Sequence, residues 1–223
     1  PERTPTFDFH KNTYDSTKGR GGADNYYLWD VGTTIKVKFL SGAPALQAKV
    51  LQAAKVWAYY AHLKFEQTYG DDADIRVKLG TGSGHNSYIG TVCRFIDKSE
   101  ETMNLDTVDM KYSTKFFSAV VQHEFGHAIG LLHEHSSPVS GIKWNKDRLY
   151  KLYKIQQGWD KDQVDYQVFR VFNQSYTNGT KYDNKSIMHY PIDSTETLDG
   201  YWVDWNYYLS KGDKEIIGAL YPK

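Results

Sequence analysis

The stretch HEFGHAIGLLHEH, residues 123–135, constrains the chain more than any other, because its histidines can act together only if the backbone reverses inside it. Upstream, residues 113–130 carry Phe117, Val120, Val121 and Ile129 at helical spacing with Ser113 placed as a cap, so the stretch begins inside a helix. On that helix His123 and His127 lie one turn apart and about 40° around the axis, so both rings face one point. Continued helix would carry His133 about 15 Å along the axis from His123. Gly130 lies between them, and glycine enters the left-handed region without a Cβ penalty. The spacing therefore predicts a helix that stops at Gly130 and a chain that turns back; otherwise the three rings never meet.

Three convergent imidazoles with an open fourth position are what a catalytic zinc ion takes, so His123, His127 and His133 are the candidate ligands. Glu124, beside the first of them, is placed to reach a water on the ion and act as general base, passing the proton to a leaving amine. The ion would lower the pKa of that water towards about 7 and polarise a carbonyl, which makes the reaction class metal-assisted hydrolysis of an acyl bond, above all a peptide. A structural zinc site is the competing reading, but such sites close the fourth position with Cys or His and leave Glu124 no role.

The rest of the chain narrows the setting. Basic and acidic residues, 27 of each, cancel, so no long-range field draws it to nucleic acid or an anionic membrane. No apolar run approaches the roughly 20 residues of a membrane span, and no leader precedes Pro1, so any export signal has been removed or was never present. Cys93 is the single cysteine, so an internal disulfide is impossible.

Residues 1–25 are polar and turn-rich and read as an extension or propeptide remnant, with one catalytic domain over 26–223. Alternation in TIKVKFL (34–40) predicts a strand, and residues 43–61 predict a helix with Pro44 in its first turn. Strands are expected at 63–68 and 73–80, a glycine loop and β-rich stretch over 80–95, and a short strand at 102–106. Helices are expected at 144–159 and 210–221, separated by a long irregular segment. The order predicts an α+β fold, with a mixed twisted sheet and two long helices in an upper lobe to about residue 133. The lower lobe, 134–223, is irregular and ends in a helix, with the zinc in the cleft between.

HEFGHAIGLLHEH fits the metzincin zinc-binding consensus, and Glu134 after the third histidine resembles the astacin family in particular. SIMHYP (186–191) is similar to the astacin Met-turn. The resemblance implies that Met188 forms an apolar base under the zinc, and that Tyr190 is a fifth ligand that swings away to stabilise the oxyanion. Read without it, Met188 is ordinary core, Tyr190 a packed aromatic, and His135 and His189 surface or supporting histidines. More weakly, YYLWDVGTTIKVKF resembles the start of mature astacins, LSKGDKEIIGALY their closing helix, and SYIGTV (87–92) their substrate-binding edge strand. This makes Ser87, Tyr88, Ile89 and Gly90 candidate substrate contacts. A secreted, extracellular zinc endopeptidase of bacterial type, acting as a monomer on proteins or peptides with one catalytic zinc, is what the family implies.

Three features depart from the family pattern. Its animal members carry two disulfides that this chain lacks, which leaves Cys93 as a buried thiol. In the family the freed amino terminus is buried and linked to the glutamate matching Glu134; counting back from YLW puts it near Arg20 or Gly21. Residues 1–20 are then a remnant or an extension that forbids the latch, or a block that covers the zinc through Asp8 or Asp15. Finally, residues 191–209 have no Lys or Arg but include Asp193, Glu196, Asp199 and Asp204, so the primed side is expected to favour neutral or apolar residues where many astacins favour acidic ones. A non-catalytic binding or adhesion module that keeps zinc as a relic is the remaining alternative, and it gives Glu124 no purpose.

Overall fold

The computed structural model describes residues 27–80, 84–106, 114–171 and 181–223. The 1–25 extension, the Arg20 or Gly21 terminus, Asp8, Asp15 and the Ser113 cap lie outside the described residues. Strands β1 (Thr34–Phe39), β2 (Lys64–Gln67), β3 (Ile75–Leu79), β4 (His85–Ser87) and β5 (Met103–Leu105) form one sheet in the order β2-β1-β3-β5-β4. Only β4 runs antiparallel, at the edge, so the sheet is mixed as its alternation with helices implied. β2 pairs with Thr34 to Val37 of β1 on one side and β3 with Val37 to Phe39 on the other. The connection 68–74 therefore carries the chain across the line of β1 instead of closing a hairpin.

Helices α1 (Pro44–Ala54) and α2 (Thr114–Ala128) pack against the sheet and each other. Ile35, Val37, Trp57, Phe65, Ile75, Met103, Val121 and Phe125 lie in the shared core, with Phe65 edge-on to Phe125 at 5.3 Å. The expected helix over 43–61 is shorter: regular helix ends at Ala54 and a 3-10 turn, Trp57–Tyr59, follows. That turn aims the Trp57 indole at the Gln122 carbonyl of α2, at 2.8 Å. Burying the largest side chain of the segment with its N–H satisfied outweighs one more helical turn.

A second apolar cluster gathers Leu149, Trp159, Val164, Val168 and Phe169, with Trp144 and Tyr150 against it. It is built by α3 (Lys146–Gln157), α4 (Lys161–Val164) and a five-residue π-turn, Asp165–Phe169. These last two replace part of the irregular segment expected after residue 159. Asp160 and Gln163 form a capping box there, a pattern that short elements show in sequence without the long periodicity of a full helix. Helix α5 (Lys211–Leu220) closes the chain, capped by Ser210 and Asp213. One apolar cluster between the mixed sheet and its helices, and a second built within residues 144–169, make an α+β, two-lobed molecule.

The end of α2 is held by both ends of the described chain. The Trp29 indole donates to the Ala128 carbonyl and the Tyr221 hydroxyl to that of Ile129, both at 2.8 Å, while the Trp29 amide donates to the Tyr221 oxygen at 3.2 Å. These bonds satisfy carbonyls that a terminating helix leaves without partners. Tyr221→Phe should therefore leave a buried carbonyl and a buried amide unpaired, costing about 1–3 kcal/mol and lowering Tm by several degrees in a thermal melt.

Candidate active site

Helix α2 ends as its glycine requires. Gly130 has φ 100°, its amide donates to the His127 carbonyl at 2.8 Å, and the Leu131 amide reaches back to Gly126 at 2.9 Å. This paired closure around a left-handed residue turns the chain under the helix. His133 then comes to the rings of His123 and His127, at centroid distances of 5.3 and 4.5 Å. Nitrogen atoms of the three lie within 4.8 Å of one another, with Nε2 of His127 and His133 3.0 Å apart. Two ligands at about 2.05 Å from a tetrahedral zinc would stand about 3.3 Å apart, so the spacing fits that ion.

Tautomers are set from behind. His123 Nδ1 lies 2.8 Å from the Ile187 carbonyl and His127 Nδ1 2.8 Å from that of Leu131. A carbonyl only accepts, so each Nδ1 carries the hydrogen and each Nε2 presents a lone pair inward. Burial holds the His123 ring down at about 4, and burial with His123 beside it holds His127 at about 3. Burial, then His127, His123 and the histidines below, pushes His133 well down as well. All three are thus neutral, the form that binds metal.

Glu124 is 1% exposed, and among the described residues neither carboxylate oxygen has a hydrogen-bond partner. Burial pushes its acid up to about 8. A buried carboxylate with nothing to bond beside three neutral imidazoles fits a site that receives a divalent cation and a polar reactant.

The 186–191 turn passes directly beneath. Besides Ile187 at His123, the Met188 carbonyl accepts the Glu134 amide at 3.0 Å. Met188 is buried against Gly126 of α2, where a Cβ would collide with its sulfur. Asp213 grips the turn from behind: its carboxylate accepts from Ser186 Oγ at 2.6 Å and from the Ile187 amide at 2.8 Å. Tyr190 packs 4.1 Å from the His133 ring and 4.3 Å from His135, and burial pushes its phenol well above the usual range. Glu134 accepts from the Asp183 amide at 2.9 Å, and burial, with Asp213 and Asp183 nearby, raises it to about 7.

The cleft over Glu124, with about 260 Å³ of open space, is lined by His85, Asn86, Ser87, His127, His133, Gln167 and Tyr190. Of the expected substrate contacts only Ser87 lines it; Tyr88, Ile89 and Gly90 do not. The edge strand ends at Ser87 instead of continuing through 87–92, and Gly90 opens a 3-10 turn, Gly90–Phe95, in place of further β structure. Gly90 has φ 50°, and a Cβ there would strike the Tyr27 carbonyl, which also accepts the Thr91 amide at 2.8 Å. The chain's own residue 27 thus occupies that part of the backbone. Cys93 in this turn is buried, and burial pushes its thiol up to about 12. His135 and His189 are also buried and not on the surface; His189 Nε2 meets the Tyr182 hydroxyl at 2.6 Å. Sequence reading passed over Asp213 and Gln167. Asp213 was visible as the third residue after the cap Ser210, whereas nothing local marks Gln167.

A sequence model of the astacin peptidase family matches residues 23–200. The chain is 26% identical over 170 residues to the zinc metalloproteinase nas-38 of Caenorhabditis elegans, a match that takes in 74% of this chain but spans only about a fifth of that protein's length. A structure of myroilysin superposes with a TM-score of 0.88 at 38% identity, covering 91% of this chain and 99% of that one. The hatching enzyme zinc-protease high choriolytic enzyme 1 of the medaka Oryzias latipes shares the fold, with a TM-score of 0.60 at 18% identity over 88% of this chain and 94% of its own.

Proposed function

Because the chain belongs to the astacin family of peptidases, we propose that it is a secreted zinc endopeptidase working through Glu124, with residues 26–223 as its catalytic domain. The observation that carries this reading is the buried, unpartnered Glu124 carboxylate beside three inward-facing imidazoles. His123, His127 and His133 would hold the ion, which when bound supplies Lewis acidity that polarises the scissile carbonyl and acidifies water. Glu124 takes the proton from water and gives it to the leaving amine, so no covalent intermediate arises. Tyr190 would add a further oxygen ligand to the ion and, turned to the substrate, would donate a hydrogen bond from its hydroxyl to the oxyanion. Met188 and Glu134 fix the turn and the third ligand rather than react. Substrate main chain lies along the outer edge of β4 at His85 to Ser87.

No helix among the described residues is long and apolar enough to cross a membrane. A chelator should abolish hydrolysis of a protein substrate, and added zinc should restore it; activity that survives metal analysis showing no zinc would refute the reading.

On the far side of His123 and Tyr190 opens a second cleft with about 300 Å³ of open space, walled by Ala119, Val120, Ile187, Pro191 and Trp205. Among the described residues no Lys or Arg lines it. We expect the residue after the cut to be neutral or apolar, as the absence of Lys and Arg from 191–209 implied. Cleavage-site profiling on a peptide library checks this, and a strong Asp or Glu preference there would overturn it.

A further inference from the structure

Two segments far apart in sequence line the cleft over Glu124. One is β4, whose outer edge has no neighbouring strand among the described residues. The other is Gln167, half-buried and carried by the π-turn from the second apolar cluster. That turn is firmly based: Val164, Val168 and Phe169 are buried, and Trp144 and Tyr150 flank Phe169 at 5.8 and 5.6 Å. The buried ring of His135 lies against Tyr190, which lines the same cleft as Gln167. A π-turn is wider than an α-helical turn and forms less readily, and it is found frequently at functional sites. Here Gln167, at its centre, is the residue that lines the cleft.

We propose that the Gln167 carboxamide binds the main chain of the peptide substrate, so that the strand is held between two hydrogen-bonding edges, β4 above and Gln167 below. A carboxamide carries an acceptor and two donors and so reproduces a peptide unit, the one feature every substrate residue shares. Its neutrality also suits the position: a lysine or arginine would pair with Glu124, and a carboxylate would repel it. Gln167 therefore adds grip without demanding a particular side chain. This inference rests on the endopeptidase reading.

The test uses the zinc-loaded protein, Gln167→Ala and the similarly shaped, uncharged Gln167→Met, with peptides N-methylated at one backbone position at a time. Both variants should raise KM by roughly three- to tenfold with kcat within about twofold, at unchanged zinc content and Tm. One N-methyl position should weaken the wild-type protein by a similar factor and weaken Gln167→Ala no further, which a merely structural role would not produce. An unchanged KM in both variants, or losses that add at every N-methyl position, overturns the proposal. If the wild-type protein cleaves peptides in either of those outcomes, only the grip is lost; if it cleaves none with zinc bound, the endopeptidase reading itself has failed.

Discussion

Replacing Glu124 with alanine is expected to lower kcat by about 10²- to 10⁴-fold on any peptide substrate while the protein keeps its zinc. The separation follows from what each group touches. The three rings are oriented by backbone carbonyls of Ile187 and Leu131 and by the turn at Gly130, none of which depends on the Glu124 carboxylate. Neither of its oxygens bonds to another described residue, so its removal breaks no bond in the framework. What disappears is the only carboxylate among the described side chains lining the cleft beside His127 and His133. Glu124→Gln should behave alike, since it fills the same volume with a group that cannot accept a proton near neutral pH; this excludes a collapsed cavity as the cause. Steady-state kinetics with metal analysis of both variants decides the matter. Full activity in either would refute Glu124 as the base, and loss of zinc in both would make it a structural residue.

How far the site could be read in advance depended on how local its causes are. The face of α2, the stop at Gly130 and the alternation of β1 are set by spacing within one segment, and the structure has all three. The orientation of the ligand rings is not local: His123 is set by Ile187, and Ile187 by Asp213, three segments that no periodicity links. Edge-strand residues were placed too late, at 87–92, because Tyr27 limits β4 from a distance while SYIG looks extended in isolation. Trp57 shortened α1 for the same reason, since its partner lies on α2. Gln167 shows the limit most clearly. The segment YQVF around it offers no chemical pattern, and the packing of Val168 and Phe169 is what places Gln167 on the cleft that Glu124 also lines.

Gly130→Ala is expected to be the most damaging substitution that touches no ligand. At φ 100° an alanine pays left-handed strain of about 1–2 kcal/mol, and its Cβ would lie 2.6 Å from Leu28 Cδ2, adding about 1–3 kcal/mol of overpacking. The sum, about 2–5 kcal/mol, should lower Tm by roughly 5–15 °C for a chain of this size. Function should suffer separately, because any relief of the strain rotates the peptide that carries His133 back to its partners. A shift of a few tenths of an ångström in one of three ligands should weaken zinc by about 10- to 100-fold, on the scale seen when supporting contacts are lost. Leu28→Ala divides the two contributions: in that background the collision is gone, so the further loss from Gly130→Ala should fall to the backbone strain alone. Thermal melts of the metal-free proteins measure the first effect and zinc competition titrations the second. Wild-type stability and wild-type zinc affinity in Gly130→Ala would mean that the helix can end, and the third histidine can return, without a left-handed residue at 130.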